Sequence, residues 1–175
     1  MKKLIVTLII GISAAQLMSG EKQKDSARAA ESKAAVPAAL VGQWQSGSIS
    51  TANFYNADAQ QWSDPSGRGM FLIVHANGEY RFGAGEQITS TDYFLYQEGS
   101  VASNGAEIVL TPKMGSEFTR DVCIHAEDQR ASTKNELQTT SLKFQIVANQ
   151  ADGRGAELVL TNEHGEQVML RLRAQ

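Results

Sequence analysis

Residues 71–82 read Phe-Leu-Ile-Val-His-Ala-Asn-Gly-Glu-Tyr-Arg-Phe. Two short runs, Phe71 to Val74 and Glu79 to Phe82, flank Asn77-Gly78, a dipeptide that readily supplies the positive φ angles of a tight antiparallel turn. A two-residue turn pairs His75 with Tyr80 and Ile73 with Phe82 on one face. It pairs Val74 with Arg81 and Ala76 with Glu79 on the other. Side chains alternate along a strand, so the aromatic face is assigned to the interior.

Working outward, Glu98-Gly99, Asn104-Gly105, Asp152-Gly153 and His164-Gly165 fall between runs of the same kind. Glu98-Gly99 pairs Tyr96 with Val101, and Asn104-Gly105 pairs Val101 with Ile108. Phe94, Tyr96, Val101, Ile108 and Leu110 then share a face. In the last hairpin a two-residue turn sets Leu158 opposite Arg171. A three-residue loop with a glycine bulge sets it opposite Leu170 and gathers Leu158, Leu160, Val168, Leu170 and Leu172, which burial favours. Arg171 and Arg173 then face outward. Leu40 to Ser50, Gly115 to Cys123 and Leu142 to Ile146 supply further strands. Ile124 to Leu137 reads as a long polar loop. A run of hairpins makes a meander, whose edges must be closed or shielded. The expected fold is all-β, an antiparallel up-and-down barrel of about 8–10 strands without a helix in the mature domain.

The barrel domain is expected at 39–175. Residues 1–20 have the basic start, short apolar run and small residues (Ser13-Ala14-Ala15) of a secretory signal peptide. Residues 21–38 are Ala-rich and charged and read as a flexible linker. No Cys ends the apolar run, so no lipid attachment is expected and no stable membrane anchor survives cleavage. The address is periplasmic or secreted. Net charge is −3 and falls to −5 once Lys2 and Lys3 are removed, which disfavours nucleic acid as a partner. The single cysteine, Cys123, cannot form an internal disulfide.

Gly42-x-Trp44 on the first strand resembles the G-x-W signature of lipocalins. The wider layout resembles a group of secreted, lipocalin-like proteins of uncharacterised function. It comprises Trp44-x-x-Gly47, Phe54, Trp62, Pro65-Ser66-Gly67-x-Gly69, His75-Ala76-Asn77-Gly78-Glu79-Tyr80, Tyr96-x-x-Gly99 and Asp121-x-Cys123, and covers about residues 40–173. The resemblance implies a calycin-type barrel in which Gly42, Trp44 and Arg171 (or Arg173) close one end, the cation stacking on the ring. It implies no reaction. The group usually carries an earlier cysteine; residues 89–92 hold none, so no disulfide is carried over.

Phe71, His75, Tyr80, Phe82, Phe94 and Tyr96 are the candidate lining of a ligand cavity, although the same stripe also suits a filled core. Phe54, Tyr55 and Trp62, on the long 51–68 connection, either cover the barrel mouth or form a satellite core. Asp121, Cys123, His125 and Glu127 alternate and would share a face if the strand ran that far, as a metal or nucleophile site requires; a polar loop is the preferred reading, because Ile124 would be the only large apolar residue opposite. No phosphate loop, Cys-x-x-Cys, nucleophile elbow or His-Glu-x-x-His occurs. The expectation is therefore a non-enzymatic barrel, without cofactor or metal, binding a small apolar or amphipathic ligand. An envelope protein is the alternative partner, and a barrel enzyme ranks third.

Overall fold

The computed structural model describes residues 36–52, 54–149 and 155–173. The expected signal peptide, most of the linker and the Asp152-Gly153 turn lie outside them. The elements in chain order are β1 (Gly42–Gly47), β2 (Tyr55–Asn56), β3 (Gln61–Trp62), β4 (Gly69–Val74), β5 (Glu79–Ile88), β6 (Thr91–Asn104), β7 (Glu107–Asp121), β8 (Glu127–Ala131), β9 (Thr140–Asn149), β10 (Gly155–Thr161) and β11 (Gln167–Leu172). Among the described residues the only helix is a three-residue 3-10 turn, Ala38–Leu40, just before β1.

Eight strands close a ring in the order β1-β4-β5-β6-β7-β9-β10-β11, and β11 returns to pair with β1. Every neighbouring pair is antiparallel. This is the expected up-and-down barrel. β8 lies beside the second half of β7, so the segment expected as one long loop contains a strand. β2 and β3 form a separate two-stranded ribbon.

Alternation fills the interior. Met70, Leu72 and Val74 on β4, Tyr80, Phe82 and Ala84 on β5, Leu95 and Val101 on β6, and Ile108 and Leu110 on β7 belong to one buried cluster. Leu142, Leu158, Leu160 and Leu170 complete its far wall. Full burial of such a side chain stabilises by about 1.5–3 kcal/mol. At the end where β1 begins, Trp44 is wholly buried, and its indole N–H donates to the Leu40 carbonyl at 2.8 Å. The 3-10 turn and this ring close that end.

The β4–β5 register differs from expectation by one residue. Tyr80 faces Val74, Phe82 faces Leu72, and Arg81 faces Ile73. The loop is three residues long, Ala76-Asn77-Gly78. His75 N–H donates to the Glu79 carbonyl, Gly78 N–H donates back to His75 O, and Gly78 has φ +81°. The last hairpin repeats this pattern, with Asn162 N–H on Glu166 O and Gly165 N–H on Asn162 O. There the expected glycine-bulge register holds: Leu158 faces Leu170.

Glu98-Gly99 is not a turn. β6 runs through it, and the irregularity lies in β7, where Glu98 and Gly99 face Met114 and Pro112 and Lys113 is the extra residue. A Cβ on Gly99 would sit 2.1 Å from the Thr111 carbonyl oxygen, so only glycine fits this crossing. The bulge swaps the faces of β7. Ile108 and Leu110 point inward, whereas beyond Lys113 Phe118 joins an outer cluster. The turn after β6 is Gly105-Ala106 rather than Asn104-Gly105, since Asn104 already faces Glu107, so Val101 faces Leu110 and Ile108 faces Ser103.

Candidate functional site

Four of the six expected lining residues are not in the interior. Tyr80 and Phe82 are. Phe71, Phe94 and Tyr96 belong instead to the outer cluster with Ile49, Phe54, Trp62 and Phe118, and His75 is exposed beside the loop. The register explains this: Phe71 lies between inward Met70 and Leu72, and Phe94 and Tyr96 flank inward Leu95. Gly83 and Gly85 provide the floor for these rings. A Cβ on Gly83 would come within 2.3 Å of Phe71, and one on Gly85 within 2.7 Å of Phe94. The 51–68 connection is thus a satellite core laid on the barrel's outer face. Phe54 packs edge-on against Trp62 and Phe71, with both centroid separations 5.1 Å.

Trp62 also makes a polar link. Its indole N–H donates to Ser116 Oγ at 2.8 Å, and that hydroxyl donates to the Arg130 carbonyl on β8 at 3.1 Å. Inside the open end Arg130 faces Glu117 in register. Its guanidinium bonds Glu117 at 2.6 Å and Glu136 at 2.8 Å. Glu136 also accepts from the Thr133 N–H and hydroxyl. Arg130, then Thr133, hold the Glu136 carboxyl down at about 2. Burial, then Glu117, push the Tyr93 phenol above its ordinary range. Burial also raises the Glu86 carboxyl. The rim is a closed ion-pair cluster around one guanidinium.

Asp121, Cys123, His125 and Glu127 do not line a strand face. β7 stops at Asp121, whose carboxylate accepts from the Cys123 and Ile124 N–H groups at 2.8 and 3.1 Å. His125 takes φ +55°, and Glu127 pairs with Arg120 at 2.8 Å. This is a side-chain-stabilised turn. Among the described residues no group of three or more His, Cys, Asp or Glu is arranged to hold a metal ion.

Arg171 does not reach Trp44. It faces outward and pairs with Glu157 through Nε at 3.2 Å. Arg173 likewise uses Nε, donating to Gln45 Oε1 at 3.0 Å. Gly42 does sit at the closed end: a Cβ there would lie 2.9 Å from Leu172.

These arginines border an open groove of about 520 Å³ in the barrel wall, lined by Gln45, Ser46, Gly47, Met169, Arg171, Leu172 and Arg173. It exists because the β1–β11 seam parts. The strands pair at Trp44–Leu172 and Gln45–Arg171, and Arg173 N–H reaches Gln43 O at 2.8 Å. Gly47, at φ +67°, then carries the chain away, and Ser48 N–H turns to Arg68 O. Met169 is left 55 % exposed and Leu172 38 %. The groove falls in the size range of small-molecule sites. Sequence reasoning did not find it. The available signal was Met169-x-Arg171-x-Arg173 on an outward face, opposite a strand broken by Gly47.

No family model matches this chain, and no curated protein matches it.

Proposed function

We propose that this chain is an exported, lipocalin-like barrel that binds a small amphipathic ligand in a groove on the side of the barrel. The groove between β1 and β11 carries this reading, because it combines a ligand-sized volume, two exposed apolar side chains and two guanidiniums. The interior, by contrast, is occupied by Trp44, Tyr80, Phe82 and the leucines around them. Native mass spectrometry of the chain purified from its own compartment, compared with the same sample denatured, tests it. A small-molecule mass that disappears on denaturation is expected. Identical masses in both states overturn the reading.

The protein-binding alternative rests on a different place than the aromatic loop. Trp62 is only 6 % exposed and offers no surface. Ile88 and Ile124, 58 % and 74 % exposed, sit near turns joined by the Val122 N–H to Ser90 O bond. A partner chain retained in the same spectrum, and lost when both isoleucines become serine, would support that reading instead.

A further inference from the structure

The groove has a definite electrostatic character. None of its described lining residues is a carboxylate, and two are arginines, although the whole chain is acidic at −3. Arg173 is oriented by Gln45, which is itself nearly buried at 7 % exposure and anchored through its amide N–H to the Ile49 carbonyl. Both guanidiniums are held by their Nε atoms. Among the described residues the Nη pairs have no partner, and a fork of two parallel N–H donors matches a planar or tetrahedral oxyanion. Glu157 offsets part of the Arg171 charge, whereas among the described residues the Arg173 side chain meets a neutral amide. Met169, Arg171 and Arg173 alternate along one face of β11, so the apolar contact and the cations line a single track, while Leu172, paired with Trp44 on the other face, borders the groove only at the strand's edge.

Building on the ligand-binding reading above, we infer that the groove takes a monomeric anionic amphiphile. Its oxyanion head lies against Arg173, with Arg171 as the secondary contact, and its apolar body lies along Met169.

Titration calorimetry of the purified chain tests this with three ten-carbon-chain probes, the two ionic ones below their micellar concentrations and the alcohol below its solubility limit: decanoate, 1-decanol and decyltrimethylammonium. Decanoate is expected to bind about tenfold more tightly than the other two, as a charge-assisted hydrogen bond implies. Arg173→Gln should remove about that tenfold preference and leave decanol binding unchanged. Arg171→Gln should act in the same direction and more weakly. It also carries the test if a urea titration shows that Arg173→Gln is misfolded. Equal binding of all three heads overturns the inference and leaves the ligand-binding reading standing. Decanoate binding indifferent to both arginine variants places the head elsewhere and also overturns it. Binding to none of the probes overturns the inference; the broader reading then falls only if native mass spectrometry also finds no ligand. Flotation with anionic phospholipid vesicles but no binding of free decanoate overturns it in favour of a membrane surface.

Discussion

Inside the barrel, Met70, Leu72, Val74, Tyr80 and Phe82 are buried by a rule each strand obeys alone, with every second side chain pointing to the axis. Outside, on the same wall, Phe71, Phe94 and Phe118 are buried only because residues 54–62 are laid across them. The inner cluster is mostly aliphatic, with one indole at its base. The outer one is mostly aromatic and rests on the bare backbone of Gly83 and Gly85. A wall with two apolar faces cannot be assigned an inside from hydrophobicity alone. Only the register, or the cover, distinguishes them.

That contrast can be broken from either side. The largest effect is expected for Trp44→Ala, which empties the closed end and frees the Leu40 carbonyl. Guanidinium unfolding should show a loss of about 3–5 kcal/mol; a loss below ~1 kcal/mol would mean the inner cluster does not hold the barrel together. Gly83→Ala should cost less, about 1–3 kcal/mol, by lifting Phe71 and Phe54 from their floor. Near-ultraviolet circular dichroism should register the disturbed rings while the far-ultraviolet strand signal persists. Trp62→Phe keeps the ring stacking and removes the donor to Ser116, so about 1 kcal/mol is expected. An equal loss in a Ser116→Ala background would show that the indole N–H is not the source.

The polar rim sharpens the comparison through pH. Arg130, then Thr133, hold the Glu136 carboxyl down from its ordinary 4.5 to about 2. Its contribution to stability is therefore complete above about 4.5 and is lost as pH falls towards about 2. Glu136→Gln should flatten the acid limb of the unfolding curve in that window and change little in its shape above it. Parallel acid limbs for both proteins would show that the Arg130 cluster adds nothing.

Length, turn residues and alternation made the barrel and its last hairpin legible. The first hairpin was misread because Asn77-Gly78 suits a two-residue turn, yet the chain closes a three-residue loop there, as it does at Gly165. That single residue sends Phe71 outward and sets His75 opposite Glu79, exposed beside the loop. Glu98-Gly99 misled in another way. Its glycine serves a close approach to Thr111 within a strand, and the local sequence of a bulge resembles that of a turn. The groove was hidden because it depends on how far β1 and β11 stay together, and the residues that decide this are more than a hundred positions apart. Gly83-x-Gly85 was the overlooked clue to the outer layer, since alternate glycines leave room for rings.

The same seam has a consequence in time. β6 and β7 face each other through fourteen residue pairs, whereas β1 and β11 share two. These are also the first and last strands of the ring, so closing them carries the longest loop and comes late in folding. The amides of Arg171 and Arg173 should then exchange with solvent through brief local openings long before those of β6. A molecule seated across this seam would latch the barrel shut, slowing that exchange and lengthening the lifetime of the closed ring.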